Sequence, residues 1–294
     1  MRVERARYFL AAVETGSLRA AAARCGVSQP TLGQQVALLE EELDVVLLTR
    51  SRNGVRPTPA GQALLEPLHR LVSAEDAVRG AAMDSSGTYR GRVQIGAVSV
   101  TAEMIVAPVV GRLREDHPGL RFTVREGAST DVEAAVRGGE LDFGVITTPA
   151  HPPATGLSRV PLAAAPVGVY LRTDHPLAGS DELRWHDLAS WPVVTMRAGT
   201  VMWDMLHRYV TAPDIAVQAM SARTVKVMVG QGVGLGFLAR IGTSVDIPHL
   251  EWAPVRDAPP VRLCLVQRTD SQPSRSALIV RRLIRAMVDG LVLP

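Results

Sequence analysis

Residues 17–43 carry paired helix-boundary signals that restrict this stretch to two short helices joined by a tight turn. Ser17 and Ser28 stand where a side-chain oxygen can accept from the unpaired amides of a first helical turn. Gly26 follows the first apolar run, where a left-handed residue ends a helix, and Pro30 fits the first turn of the second helix. This pattern is typical of a helix-turn-helix, whose second helix enters a DNA major groove.

The second helix is predicted to extend to about Leu43 and to have one apolar and one polar face. Leu32 and Leu39 recur at helical spacing on the apolar face. The residues at its start and on its other face are predicted to contact DNA, namely Ser28, Gln29, Pro30, Thr31, Gln34 and Gln35. Because glutamine can bond the major-groove edge of adenine through two hydrogen bonds, Gln29 and Gln34 are the predicted base readers.

A basic hairpin follows the second helix. Asn53-Gly54 favours a two-residue β-turn, and arginines flank it on both sides. Contacts to phosphates position a protein on DNA without reading bases, so we expect Arg50, Arg52 and Arg56 to form a phosphate-contacting wing. The capping signals alone would also fit a helical pair packed inside a larger core. Their combination with a basic wing favours DNA binding.

The run resembles the winged helix-turn-helix of the LysR-type transcriptional regulators, and the resemblance extends more weakly along the rest of the chain. The matching positions are Phe9, Gly16, Ser17, Ala21, Ala22, Val27, Ser28, Gln29, Leu39, Glu40, Leu43, Arg50, Thr58, Ala60 and Gly61. The chain departs from the family pattern at Gly33, where serine is usual, at Gln34, where a basic residue is usual, and at residues 44–48, where Gly-x-x-Leu-Phe is usual. By the resemblance, the family's contact from a basic residue at this position is absent here.

The resemblance implies three parts and an α/β fold class overall. The expected parts are a winged helix-turn-helix DNA-binding domain at residues 1–58, a linker helix and hinge at 59–90, and an effector-binding domain at 91–294. From Arg92 onward the predicted strands and helices alternate, which favours a mostly parallel sheet with helices on its faces.

By the same resemblance the effector-binding domain has the two-lobed fold of periplasmic solute-binding proteins. One lobe is expected at about 91–162 and 267–294, and the other at about 163–266. Residues 175–178 and 232–236 match phrases that recur in the second lobe of the family.

The predicted linker helix carries apolar residues in alternating steps of four and three, the seam of a two-helix coiled coil. They are Leu64, Leu68, Leu71, Val78 and Ala82, interrupted by Glu75. Packing on the same subunit would give the same pattern, and Pro67 should kink the helix. LysR-type regulators dimerise through this helix, so the resemblance favours a homodimer, with a homotetramer and contact with RNA polymerase left open. A polar hinge is expected at residues 84–87.

Small hydroxyl residues follow several predicted strands of the C-terminal part. Ligands of open α/β sheets lie beyond the carboxyl ends of strands, and helix N-termini with hydroxyls suit a carboxylate or another small anion. The predicted effector-binding residues are Ser99, Thr101, Ser129, Thr147, Gly199 and Thr200. Each hydroxyl could instead cap a helix. No arginine stands out as the partner of the ligand.

Composition excludes several classes of protein. At 294 residues, 47% hydrophobic and 21% charged, the chain is expected to be globular with about two domains. A net charge of +3 is too small to identify a nucleic-acid binder by itself. No apolar run reaches membrane-spanning length or follows the N-terminal arginines, so we expect a cytoplasmic protein without a membrane partner.

The chemistry-bearing residues do not form an enzyme motif. Residues 234–239 fit the relaxed GxGxxA dinucleotide pattern, but their apolar character indicates a strand and not the turn after one. GxSxG and HExxH are absent, and the histidines lack paired ligand spacing. We expect no catalytic residue, no metal and no cofactor. Cys25 and Cys264 are expected to be reduced, packed thiols.

Two functions remain open from the sequence. The first is a LysR-type DNA-binding transcriptional regulator that binds double-stranded operator DNA specifically and responds to a small-molecule effector in the crevice between the lobes. The second is a cytoplasmic small-molecule binding protein whose N-terminal helices serve assembly and not DNA reading.

Overall fold

The computed structural model describes residues 2–51, 54–83, 89, 91–148, 152–241, 247–271 and 273–289. Its N-terminal part contains α1 (Val3–Thr15), α2 (Leu18–Cys25), α3 (Gln29–Leu43), a hairpin of β1 (Leu48–Ser51) and β2 (Gly54–Pro57), and the long helix α4 (Pro59–Met83). The predicted helix-turn-helix with a β-hairpin wing is therefore confirmed.

The predicted capping contacts set the ends of the two short helices. The Ser17 hydroxyl accepts a hydrogen bond from the Ala20 amide, and the Ser28 hydroxyl accepts one from the Thr31 amide at 3.2 Å. Gly26 has φ of +69°, a left-handed backbone that glycine adopts without the penalty of a Cβ. These contacts determine where α2 ends and α3 begins, whereas the burial of Leu32, Val36 and Leu39 determines which face of α3 points outward.

Two residues of the family pattern hold the wing against the helices. One carboxylate oxygen of Glu40 accepts from the amides of Leu47 and Leu48 at 2.7 and 3.0 Å. A Cβ on Gly61 would lie only 2.2 Å from the Leu47 carbonyl oxygen, so α4 can pass the segment directly before β1 only with glycine at that position. The start of the linker helix and the wing are therefore packed together.

The first half of the linker helix packs on its own subunit. Leu68 is 4% exposed in the N-terminal core, and Leu64 and Leu71 are partly buried against the same core. The helix-turn-helix core of the same subunit therefore covers Leu68 and part of Leu64 and Leu71, and the coiled-coil seam stays a prediction. The intrasubunit packing that the sequence also allowed accounts for the burial of Leu68.

The second half of the seam consists of Glu75, Val78 and Ala82. Glu75, the polar interruption, forms an ion pair with Arg7 of α1 at 3.1 Å. Val78 is 69% exposed, a high value for a large apolar side chain. The side chain of Ala82 and the predicted hinge at 84–87 lie outside the described residues.

The C-terminal part contains two five-stranded sheets with helices packed on them. Its elements in chain order are β3 (Gly91–Ala97), α5 (Ser99–Thr101), a π-helical turn (Ala102–Val106), α6 (Ala107–Asp116), β4 (Leu120–Glu126), α7 (Ser129–Arg137), β5 (Phe143–Thr147), β6 (Leu157–Ala165), β7 (Val167–Arg172), α8 (Trp185–Ala189), β8 (Val193–Met196), α9 (Val201–Tyr209), β9 (Ile215–Ala219), α10 (Ala222–Gly230), β10 (Leu235–Ala239), β11 (Leu250–Pro254), β12 (Val261–Arg268) and α11 (Arg275–Asp289).

Each sheet belongs to one lobe. Lobe 1 has the strand order β4-β3-β5-β12-β6, and lobe 2 has the order β11-β7-β10-β8-β9. Strand β3 is parallel to β4 and β5, whereas β12 is antiparallel to β5 and β6. Lobe 2 has the same mixture, since β8 is parallel to β9 and β10 while β7 is antiparallel to β10 and β11. The expectation of mostly parallel sheets is wrong, because each lobe also contains antiparallel pairs.

The division between the lobes also differs from the expected one. Lobe 1 includes β6 as far as Ala165, and the chain returns to lobe 1 with β12 at Val261. The boundaries expected at 162 and 267 are therefore wrong by a few residues. The reason is that β12 pairs with both β5 and β6, so the whole strand is an interior strand of the first sheet.

Replacing Glu40 with alanine tests how the wing is held. Two amides would lose their acceptor, so we expect the free energy of unfolding to fall by about 1–3 kcal/mol in urea denaturation. Glu41→Ala, at an exposed neighbouring position of the same helix, is the control and should change stability by about 0.5 kcal/mol or less. Equal losses in both variants would show that Glu40 does not stabilise the wing.

Candidate functional site

Helix α3 presents a polar face to solvent. Its apolar face packs in the core of the N-terminal part, where Leu32 and Leu39 are fully buried. Of the residues predicted to contact DNA, those exposed on this helix and its cap are Ser28, Gln29, Pro30, Thr31 and Gln34. The predicted reading face therefore exists as one exposed surface.

Three of the predicted residues have contacts within the protein. The hydroxyls of Ser28 and Thr31 lie 2.7 Å apart, so part of their hydrogen-bonding capacity serves the helix cap. Gln35 is half-buried, and its side-chain oxygen accepts from the Nε of Arg5 at 3.2 Å. Arg5 also pairs with Glu42 at 2.9 Å. Gln35 thus connects α1 to α3, which sets it apart from Gln29 and Gln34.

The wing does not bring its arginines to one face. Directly opposite residues of an antiparallel pair share a face, and Arg50 lies opposite Val55 whereas Arg56 lies opposite Thr49. Arg50 and Arg56 are exposed on opposite faces of the hairpin. Arg52 and the Asn53 of the predicted turn lie outside the described residues.

A cavity of about 230 Å³ lies between the two lobes. Four of the predicted effector-binding residues line it: Ser99, Ser129, Thr147 and Thr200. Ser99 and Ser129 come from lobe 1 helices, and Thr200 stands before α9 in lobe 2. The strand-end reasoning therefore located residues that do converge on one cavity.

The lobe 1 wall depends on how closely α7 lies on its sheet. A Cβ on Gly96 or on Gly144 would come within 2.5 Å or 2.4 Å of the Val132 side chain. Because both strand positions are glycine, α7 can pack directly against β3 and β5. This packing brings Ser129 to the end of β5, where its hydroxyl donates to the Thr147 carbonyl oxygen at 2.7 Å.

Two predicted effector-binding residues do not line the cavity. Thr101 is fully buried, and its hydroxyl donates to the Val145 carbonyl oxygen at 2.6 Å, so it ties the start of the helix to the sheet. Gly199 has φ of +83° and serves the turn before α9. Both residues follow strands as predicted. The Thr101 hydroxyl, however, bonds within the fold, and Gly199 forms a turn.

Arg197 lines the cavity and was not found from the sequence. One guanidinium nitrogen lies 3.2 Å from a carboxylate oxygen of Asp131, so this pair bridges lobe 2 and α7 of lobe 1. The Thr200 hydroxyl donates to the Arg197 carbonyl oxygen at 2.8 Å and accepts from the Trp203 amide. The available signal was its position directly after β8, the same strand-end position by which the hydroxyl residues were found.

The cavity combines an apolar lining with helix N-termini. Residues at the starts of α5, α7, α9 and α10 line it, and the first-turn amides of α7, α9 and α10 give these helix starts a partial positive charge. The apolar side chains include Val98, Met196, Met202, Met220, Leu238 and Ile241. Glu126 is also part of the lining and makes one side of the cavity unfavourable for an anion.

Neither cysteine of the chain lines this cavity. Cys264 is 2% exposed in β12, burial raises the pKa of its thiol, and the Thr148 hydroxyl donates to its sulfur at 3.4 Å. Cys25 lies at the end of α2, where burial also raises the thiol pKa. Both groups therefore favour the protonated form, which reacts slowly with oxidants.

Within the described ranges there is no group of three or more histidine, cysteine, aspartate or glutamate side chains that could hold a metal ion. In the same part of the chain, no helix is long and apolar enough to span a bilayer.

Two family models match the chain. Residues 3–62 match the bacterial regulatory helix-turn-helix protein, lysR family, and residues 86–289 match the LysR substrate binding domain. The regulator YnfL of Escherichia coli, described as an uncharacterized HTH-type transcriptional regulator, is 29% identical over 85% of this chain and 86% of that protein. A probable hydrogen peroxide-inducible genes activator of Mycobacterium avium is 29% identical over 82% of this chain and 78% of that protein.

Solved structures share the fold. A full-length OxyR variant from Pseudomonas aeruginosa has a TM-score of 0.78 and 21% identity, covering 100% of this chain and 96% of that chain. Full-length CbnR in complex with its target DNA has a TM-score of 0.64 and 19% identity, covering 98% of this chain and 99% of that chain.

The two matched segments together cover most of the chain, and they do not favour the alternative in which the N-terminal helices serve assembly only. The chain therefore belongs to the LysR family of transcriptional regulators, with a DNA-binding helix-turn-helix and an effector-binding domain.

Proposed function

We propose that this regulator reads its operator with Gln29 and Gln34 and that the wing arginines Arg50, Arg52 and Arg56 contact phosphates. The exposure of Gln29 and Gln34 on the outer face of α3 supports this assignment. Because Arg50 and Arg56 lie on opposite faces of the hairpin, they would contact different phosphates. Ser28, Pro30 and Thr31 would approach the DNA backbone at the start of the helix, and Gln35 would act by holding α3.

The proposed effector is a small organic anion with an apolar body. The observation that carries this proposal is the convergence of Arg197 and the helix N-termini on a mostly apolar cavity. Arg197 already faces the Asp131 carboxylate, so an anionic ligand would take the place of Asp131 as its partner. The apolar side chains would cover the rest of the ligand.

The proposed effector acts without covalent chemistry and without a cofactor or metal. Some relatives are named as probable hydrogen peroxide-inducible genes activators. Sensing of peroxide by a thiol needs an accessible thiolate, whereas Cys264 is buried with a raised pKa and Cys25 lies in the DNA-binding part. We infer that this chain responds to binding and not to oxidation, and that it is not an enzyme.

For assembly we propose a homodimer through the second half of α4, where Val78 is exposed. A homotetramer and contact with RNA polymerase would be formed by other surfaces of the promoter-bound protein. Sedimentation of the full chain with and without operator DNA measures the assembly.

The proposed domains are residues 1–58, 59–90 and 91–294. Within the last domain, each lobe contains the strands of one of the two sheets. The proposed location is the cytoplasm, where operator DNA is found.

Gln34→Ala tests the proposed base reader. Loss of a bidentate contact should cost about 1–3 kcal/mol of discrimination at one base pair of each half-site and leave non-specific affinity nearly unchanged. Gln35→Ala is the matched control, because it should lower stability through Arg5 while keeping the same base preference. Fluorescence anisotropy with single-base operator variants measures both. If Gln34→Ala weakens all sequences equally, Gln34 does not read a base.

Arg197→Gln tests the charge of the effector. A thermal-shift screen should find carboxylates that stabilise the protein while their neutral amide counterparts do not. Affinity for such a carboxylate should fall by about two- to fivefold in the variant, because exposed ion pairs contribute about 0.2–1 kcal/mol. Arg172→Gln, another exposed ion-paired arginine of lobe 2, is the control and should bind normally. Stabilisation by neutral ligands with no effect of Arg197→Gln would contradict an anionic effector.

A further inference from the structure

Helix α7 runs from the effector cavity to the linker helix. Ser129 in its first turn lines the cavity, and the turn at residues 138–142 after its last residue faces α4. Its nine residues span about 14 Å at 1.5 Å per residue. Helix α7 and the turn after it therefore connect the ligand-binding region with the helix that leads to the DNA-binding domain.

The helix is held firmly on lobe 1. Glu133 and Arg159 form a bidentate pair, with distances of 2.5 and 2.8 Å and side chains only 6% and 8% exposed. Removing one partner of such a buried pair leaves an uncompensated charge, so the geometry is strongly determined. Together with Val132 packed over two strand glycines, this pair makes α7 part of a rigid lobe 1.

The turn after α7 sits closely on the linker helix. A Cβ on Gly139, which has φ of +76°, would lie 3.2 Å from the His69 Cβ and 3.4 Å from the Arg70 Cγ. On the other side of this contact, Arg70 forms an ion pair with Asp270 at 2.6 Å. We call the contact of Gly139 and Asp270 with His69 and Arg70 the linker seat.

His69 marks the point where three parts of the chain meet. It is 9% exposed, and burial is the largest cause that lowers its pKa, so the imidazole is neutral near pH 7. The charges acting on it come from Glu14 of α1, Glu140 of the turn and Arg268 of β12. Arg268 also donates to the Val136 carbonyl oxygen at 2.8 Å, which holds the last turn of α7.

We propose that the linker seat fixes the direction of the DNA-binding domain relative to lobe 1, and that the cavity communicates with the operator through it. The proposal rests on the proposed function, since it gives the effector-binding domain its route to the DNA. Without the seat, the turn after α7 would no longer constrain α4. The two DNA-binding domains of a dimer would then be held less firmly at the spacing of two half-sites.

Gly139→Ala tests the seat in the full-length protein without effector. The added Cβ strains a left-handed residue and pushes on His69, so affinity for an operator with two half-sites should fall about fivefold or more. Affinity for a duplex with one half-site should stay unchanged, because each DNA-binding domain is intact. Gly156→Ala is the matched control: Gly156 has φ of +84° in the same lobe, but a Cβ there meets nothing within 4 Å. It carries the same backbone strain without touching the linker.

A milder pair of variants covers the case in which Gly139→Ala folds poorly. Arg70→Gln and Asp270→Asn should each lower two-half-site affinity by roughly two- to fivefold, and the double variant no further than either single one. Asp174→Asn, which breaks the exposed Arg172–Asp174 pair of lobe 2, should have no effect.

Three outcomes would overturn the proposal: Gly139→Ala behaving like Gly156→Ala, equal losses on one and two half-sites, or additive effects at Arg70 and Asp270. Wild-type protein that binds operator and random DNA equally would contradict the proposed operator reading itself, and the seat proposal with it.

Discussion

The close packing of α7 on the first sheet is the constraint on which both ends of the effector-binding domain depend. Gly96 and Gly144 leave no side chain between the strands and Val132, so the helix lies directly on β3 and β5. At one end this places Ser129 in the cavity wall, and at the other it places Gly139 against the linker helix. A side chain at either strand glycine would lift the helix and change the cavity and the linker contact together. The two sites are therefore connected by packing and not only by their order in the chain.

The cavity also shows how a ligand could bias the arrangement of the lobes. Arg197 of lobe 2 and Asp131 of lobe 1 are already paired, and both side chains are substantially exposed. Exchanging this surface ion pair for an effector carboxylate gains little by itself, because exposed pairs contribute about 0.2–1 kcal/mol. The larger gain comes from covering the apolar body of the ligand between the lobes, at about 25 cal/mol per Å² of buried apolar area. A ligand shifts the lobes only to the extent that it binds one arrangement better than another.

Local signals in the sequence predicted local structure well. Ser17, Gly26 and Ser28 predicted the helix-turn-helix correctly, because a cap depends on atoms only two or three residues away. The cavity hydroxyls were predicted from the rule that ligands lie beyond strand ends. The same rule also selected Thr101, whose hydroxyl instead donates to the Val145 carbonyl oxygen. Arg197 was missed because its role depends on Asp131, which is 66 residues distant in the chain. The linker seam was ambiguous for a related reason, since apolar spacing shows that a face is buried but not which partner covers it, and Leu68 packs on its own subunit.

The central claim is that two copies of this regulator bind DNA together and that each reads a specific sequence with the exposed face of α3. Selection of binding sites from a random duplex library by the full-length protein tests it most directly. We predict an enriched inverted repeat whose half-sites are separated by one helical turn, about 10 base pairs, or a multiple of it. Enrichment of no sequence, or of a single unrepeated half-site, would contradict it.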